Sequence, residues 1–268
     1  MLVLAVKALL APTFVVGASL AARRFGPRVG GIVGGLPVVA GPILLAYALV
    51  HGRSFAAQAA AGTLLGLLSL TAFVVVYGRL ASRAPWFVCM LCGWVAFALV
   101  TVTLDGVAVA PAVALGLVCA GFAGGLLLLP GRRRDIAAGG APAPAPAWDL
   151  PVRAGCALAL VLALTTAAGW LGPQLSGLLA PFPVITTVLA TFTHSQRGAD
   201  EAIRLLGGML TGFVAFALFC FTLTVSLSGA TVAAAFALAT AAALVTQALL
   251  FSSARRRTAV RGEAQLSR

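Results

Sequence analysis

GPRVGGIVGGLPV at residues 26–38 and GPQLSGLLAPFPV at 172–184 are one pattern met twice, 146 positions apart. Gly26-Pro27 aligns with Gly172-Pro173, Gly31 with Gly177, and Pro37-Val38 with Pro183-Val184. The offset holds downstream, where Gly52, Ala56, Gly62, Leu64, Gly66 and Phe73 meet Gly198, Ala202, Gly208, Leu210, Gly212 and Phe219. The alignment gives eleven identities in 48 ungapped positions, five of them Gly and two Pro. Glycine and proline set backbone conformation, so their recurrence in register is harder to reach by chance than that of Ala or Leu. Upstream, Ala8, Ala11, Val15, Ala21 and Ala22 match Ala154, Ala157, Val161, Ala167 and Ala168, and Lys7 falls opposite Arg153.

The medium in which this repeat folds follows from composition. The 268 residues are 61% hydrophobic and 9% charged, with a mean hydropathy of +1.08. A soluble domain carries roughly 25% charged residues to keep its surface wet. A soluble enzyme is therefore excluded, and the lipid bilayer becomes the expected solvent and first partner. Apolar runs near 20 residues predict nine spans, at about 2–22, 29–50, 55–78, 85–104, 107–129, 152–171, 174–194, 202–226 and 230–251. Ala18-Ser-Leu-Ala in the first span resembles a signal-peptide cleavage region, but there is no basic start and Arg23-Arg24 follows at once. We read it as a retained helix. Cys89, Cys92, Cys119, Cys156 and Cys220 all lie in apolar stretches, where free cysteine serves as a small packing residue.

The net charge of +12 would suggest nucleic acid on a soluble protein. Nine spans give it another meaning. Arg23, Arg24, Arg28, Arg79, Arg83, Arg132, Arg133, Arg134, Arg153, Arg197, Arg204, Arg255, Arg256, Arg257, Arg261 and Arg268 fall on one side, and only Lys7 and Arg53 on the other. Positive-inside bias then predicts a cytoplasmic C-terminus and an external N-terminus. No nucleic-acid partner is expected. The high Arg-to-Lys ratio and abundant Ala, Gly and Pro suggest a GC-rich bacterial genome, hence a multi-pass protein of the cytoplasmic (inner) membrane.

The expected organisation is all-α, in a four-plus-one-plus-four plan: a first four-helix repeat over 1–104, a connector helix in 105–130, a cytoplasmic linker over 131–150, a second repeat over 151–252 and a basic tail over 253–268. The alternating Ala-Pro run of the linker favours extended polyproline-like backbone, and the tail suits anionic lipid headgroups. An odd number of spans separates the two copies, so they are expected to be inverted. Inverted repeats with interrupted helices at matching positions characterise many secondary transporters.

Spans 2 and 7 carry those interruptions. At about 1.5 Å per residue, Pro37 lies roughly 13 Å from one face and Pro181 and Pro183 about as deep from the other. Proline removes a backbone donor and frees a carbonyl, which is tolerated only inside protein or beside a cavity. The two readings are a kinked packing helix with glycines at a close approach and a substrate cavity. The candidate substrate-binding or gating residues are Pro37, Gly41, Pro42, Tyr47 and His51 in span 2, and Pro181, Phe182, Pro183, Thr186, Thr187, Thr191, His194 and Arg197 in or just beyond span 7. Either histidine is an interfacial residue or a proton-titrating gate. Lys7 and Arg153 either snorkel or face the cavity as paired cations favouring an anionic substrate. No carboxylate lies mid-membrane, which argues against a carboxylate-driven pump or a metal-ion carrier. There is no H-E-x-x-H, G-x-S-x-G, P-loop or Rossmann fingerprint, so neither catalysis, a metal nor a cofactor is expected.

With an early basic residue in its first helix and a Pro-centred second helix, each half resembles the GlpM-like small four-helix membrane proteins. APFPVITTVLATFTH at 180–194 carries the resemblance best; GGLPVVAGPILLAYALVHG at 34–52 lacks the Phe between prolines. The likeness covers about 1–103 and 147–250 through short apolar motifs. The inverted plan is also similar to the drug/metabolite transporter superfamily. The resemblance implies a fused inverted duplication and supplies no substrate. The expected function is a secondary transporter or lipid flippase moving a small anionic or amphipathic molecule by alternating access. The alternative is a non-transporting assembly or accessory protein that binds a cytoplasmic partner. A homodimer is compatible with either.

Overall fold

The computed structural model describes residues 2–38, 40–107, 109–130, 148–168 and 181–266, with side chains outside 2–11, 161–168 and 253–266. Every regular element among these residues is helical. The helices are α1 (Leu2–Phe25), α2 (Pro27–Gly34), α3 (Ala40–Val50), α4 (Arg53–Leu80), α5 (Trp86–Leu104), α6 (Pro111–Leu128), α7 (Asp149–Ala168), α8 (Val184–Arg197), α9 (Ala199–Ser226) and α10 (Val232–Leu266). Five of them, α4, α5, α6, α9 and the Val232–Ser252 part of α10, are long and apolar enough to cross a membrane. The expected span at 29–50 is divided into α2 and α3 by a break at Gly35–Val38. The residues 169–180, and with them Gly172-Pro173 and Gly177, lie outside the described residues, as do linker residues 131–147 and the side chains of Lys7 and the basic tail.

Helices α4 and α9 form the centre. Each is 28 residues long, and about two-thirds of the apolar window of each is buried, against 22% for α5, α6 and α10. They start directly after Gly52 (φ +87°) and Gly198 (φ +88°). These positions are 146 apart, and a Cβ at such a φ would be strained. Helix α4 packs against α5 and α9 against α10; α4 and α9 pack together, as do α1 and α7. Arg23 near the end of α1 reaches Asp149 at the start of α7, so α1 and α7 run antiparallel.

On the periphery, α5 turns Leu91, Val95, Leu99 and Val102 outward, each more than half exposed. Their spacing of three or four makes one helical stripe. An apolar stripe facing outward costs free energy in water and none in hydrocarbon, which identifies these faces with the lipid side of a multi-pass membrane protein.

The closest approach joins α2 to α9. A Cβ on Gly35 would stand 2.6 Å from the backbone carbon of Gly212. One on Gly31 would collide with the Leu205 carbonyl, on Gly208 with that of Arg28, and on Gly212 with that of Ile32. Gly31 and Gly35, like Gly208 and Gly212, are four apart and share a helix face, the small-residue arrangement that lets membrane helices approach closely.

Candidate functional site

The backbone turns in the same way at the two proline positions, Pro37 and Pro183. In span 2 the Val38 amide donates to the Leu36 carbonyl at 2.9 Å, and Gly41 N–H to the Pro37 carbonyl at 2.9 Å. In span 7 the Val184 amide donates to Phe182 at 2.7 Å, and Thr187 N–H to Pro183 at 2.7 Å. Every atom of the second set is the first shifted by 146 residues. The bond from residue i+2 back to i closes an inverse γ-turn, and Pro183 (φ −73°, ψ 49°) sits near its central dihedrals. Proline's fixed φ suits that position and its missing N–H removes a donor the turn does not use.

The two turns line one cleft. Its walls include Leu36, Pro37 and Ala40 from span 2, Phe182, Pro183 and Thr186 from span 7, and Leu70 and Phe216 from the central helices. These eight form four pairs at the 146-residue offset: Leu36 with Phe182, Pro37 with Pro183, Ala40 with Thr186, and Leu70 with Phe216. The space open to water centres is about 40 Å³, and about 10–15 Å³ holds one water, so the cleft has room for a few waters. Among the described residues no charged side chain lines it, and Thr186 has the one side-chain hydroxyl on its wall.

Side chains of α5 and α8 fix the span-7 wall. Phe182 packs against Trp94 and Phe97, with ring centroids 5.9 and 5.4 Å apart. The Trp94 indole donates to Thr187 Oγ1 at 3.1 Å, and Thr191 Oγ1 donates to the Thr187 carbonyl at 2.7 Å. The sequence-selected residues Pro37, Pro181, Phe182, Pro183 and Thr186 therefore come together at the cleft. Thr187 and Thr191 are buried just behind it, and Gly41 packs on Phe219. Across the glycine contact, Gln247 of α10 donates from Nε2 to the Ile32 carbonyl just before the span-2 turn. Gln247 Oε1, and Thr101 Oγ1 at the equivalent position of α5, are buried without a hydrogen-bond partner.

The remaining candidates lie at the two ends. Half-buried Tyr47 and Phe55 and exposed His51 form an aromatic group, with His51 and Phe55 centroids 4.7 Å apart, next to Arg53, whose guanidinium donates to the Ala230 carbonyl at 3.1 Å. At the other end Tyr77 Oη and His194 Nδ1 are 3.3 Å apart, and Arg79 donates to the Leu128 carbonyl at 3.0 Å. Pro42 and Arg197 are half-buried, and neither lines the cleft.

Arg153 does not face the cleft. Its Nε donates to Asp149 Oδ1 at 2.8 Å, one helical turn away, and its guanidinium stacks on Phe192 at 5.0 Å. Arg23 donates to the other carboxylate oxygen at 2.6 Å, and Gln196 donates to Oδ1 at 2.6 Å. Asp149 is fully buried. Burial pushes its carboxyl up, but the hydrogen bonds from Arg153, Gln196 and Arg23 outweigh it and hold the group below the usual carboxylate range. Sequence reading passed over Asp149 because it stands at the end of the Ala-Pro linker; its spacing of four from Arg153 was the available signal. Comparison of the chain with protein-family models, with curated proteins and with solved structures returns no match in any of the three.

Proposed function

We propose that this protein is a nine-crossing inner-membrane transporter or lipid flippase built from two inverted halves, working by alternating access at the proline cleft. The observation that carries the reading is the cleft itself, where both proline turns meet and eight of the wall residues form four pairs at the repeat offset. Such a site on a pseudo-twofold axis is where inverted-repeat transporters hold their substrate. Antiparallel α1 and α7, and the matching starts of α4 and α9, support the same reading. The apolar, uncharged lining suits the uncharged part of a small amphipathic molecule better than a bare anion. Arg153 already has a carboxylate partner, so it is not the anion receptor. The arginine-bearing end is assigned to the cytoplasm by positive-inside bias, and the GlpM-like resemblance fits a fused duplication.

The alternative, a non-transporting assembly protein, draws on the close glycine contact between α2 and α9. Thiol labelling separates the two. In a cysteine-free background, Arg53→Cys and Arg132→Cys are expected to react from opposite sides of the membrane, and Thr186→Cys with small reagents supplied from either side. Labelling of positions 53 and 132 from one side overturns the inversion. A Thr186→Cys thiol that stays unreactive from both sides favours the assembly protein.

A further inference from the structure

The two ends of this bundle share a backbone plan and differ in charge. Asp149, Arg153, Gln196 and Arg23 meet at one end. Shifted by 146 residues, Arg153, Asp149, Gln196 and Phe192 become Lys7, Val3, Val50 and Ala46. The opposite end thus has a cation at the matching position, but neither the acid, the amide nor the stacking ring.

What the cluster joins gives it a role. Arg23 ends α1, Asp149 and Arg153 begin α7, and Gln196 and Phe192 lie in the last turns of α8. Pro183 caps α8 and Thr186 lies in its first turn, both on the cleft wall. Ten residues separate Thr186 from Gln196, about 15 Å along a rigid helix. Any swing of α8 that opened the cleft toward the arginine end would pull Gln196 from Asp149 and Phe192 from Arg153. Separating a buried, fully hydrogen-bonded ion cluster is costly because each charge is left without water or partner.

We propose that the Asp149 cluster is a one-sided latch: it ties α8 to α1 and α7 and keeps the proline cleft closed toward the arginine end. The latch rests on the transport reading and adds to it a difference between two otherwise equivalent ends. An occupant enters from the latched side only after Asp149 releases α8. On the other side Val3 stands at the position that matches Asp149, and Arg53 makes an exposed bond to the Ala230 carbonyl.

The test uses full-length protein in vesicles of both orientations, with Cys89, Cys92, Cys119, Cys156 and Cys220 replaced by Ala. Thr186→Cys reports on the cleft through a membrane-impermeant maleimide. With Asp149→Asn, labelling from the arginine side is expected to accelerate about tenfold or more, since breaking one member of a buried pair is among the larger single perturbations. Labelling from the opposite side should slow. Arg23→Gln leaves Asp149 its Arg153 and Gln196 partners and removes only a partly exposed group, so it should act in the same direction with a smaller effect and keep the fold. If the parent labels from both sides and neither variant changes the rates, the latch is overturned and transport stands. If parent and variants are unreactive from both sides, the transport reading falls and the latch with it.

Discussion

Gly212→Ala places one methyl group where two backbones touch. The new Cβ would collide with the Ile32 carbonyl oxygen and lie 3.1 Å from Ile32 C and Cα. No rotamer relieves this, because the obstruction is backbone, and α2 itself is pinned nearby where Gly35 meets Gly212. The helices must separate by an appreciable fraction of an ångström. A gap of about 0.5–1 Å forfeits a quarter to a half of each dispersion contact along the interface. Overpacking of this kind costs about 1–3 kcal/mol, offset by up to about 1 kcal/mol for replacing a mid-helix glycine with alanine. With the full offset the expected net loss is up to about 2 kcal/mol, and Gly212→Val should lose more. Gly116→Ala on α6 is the control, because a Cβ there meets nothing within 4 Å; that variant should be neutral or gain stability. Reversible unfolding in mixed micelles, with parent and variants in the same detergent ratio, measures the difference. Gly212→Ala at or above parental stability, with Gly116→Ala unchanged, would refute close backbone contact as the reason for these glycines.

Two further perturbations test the polar contacts. Asp149 has a depressed folded-state pKa, so its stabilisation is present above the ordinary carboxylate pKa of about 4 and lost as pH falls through the lower folded value. Stability of the parent should therefore decline in acid below about pH 4, and Asp149→Asn should remove that step while lowering stability at pH 7 by about 3 kcal/mol; an unchanged acid profile in the variant refutes the assignment. Trp94→Phe keeps a ring against Phe182 but removes the donor to Thr187, for an expected cost of about 0.5–1.5 kcal/mol. In a Thr187→Val background the same change should cost less, and a double-mutant cycle with no coupling would show that the indole bond contributes nothing.

The sequence was most legible where the backbone is special. Pro37 and Pro183 mark the two turns because only a residue lacking N–H, with φ fixed near −65°, fits their centre without loss. Gly52 and Gly198 mark the starts of the central helices because their φ is positive. Hydropathy placed the long spans, since crossing hydrocarbon needs about 20 apolar residues whatever their neighbours. Pairings that depend on three-dimensional approach were not legible. Trp94 and Thr187 are 93 residues apart, Gln247 and Ile32 are 215 apart, and nothing local in either stretch announces the partner. Asp149 and Arg153 were within reach through their helical spacing, but the adjoining Ala-Pro run drew the boundary of the helix three residues too late. Arg153, taken from its match to Lys7 as one of two equivalent cations, instead has partners that the Lys7 side of the repeat lacks.

On the proposed reading of two duplicated halves, that difference separates what folding holds from what it releases. The γ-turn hydrogen bonds and the glycine-led helix starts are backbone features, and both halves must keep them if two copies are to pack on one axis. Side chains are under no such demand. At the cleft, Ala40 stands where the repeat has Thr186, so the span-7 wall has one hydroxyl that the span-2 wall lacks. An occupant of the cleft would meet a single hydroxyl on one wall of an otherwise apolar lining, which fits the proposed amphipathic molecule better than an anion. The same logic applies to the charges. Two equivalent ends would open with equal ease, and a carrier built that way has no preferred resting side. On the transport reading proposed above, a buried carboxylate at one end alone would break that equality through a few side chains and leave the repeated backbone turns intact. The residues that make the protein two-sided are therefore to be sought among positions where the repeat fails, and Asp149, opposite Val3, is the clearest of them.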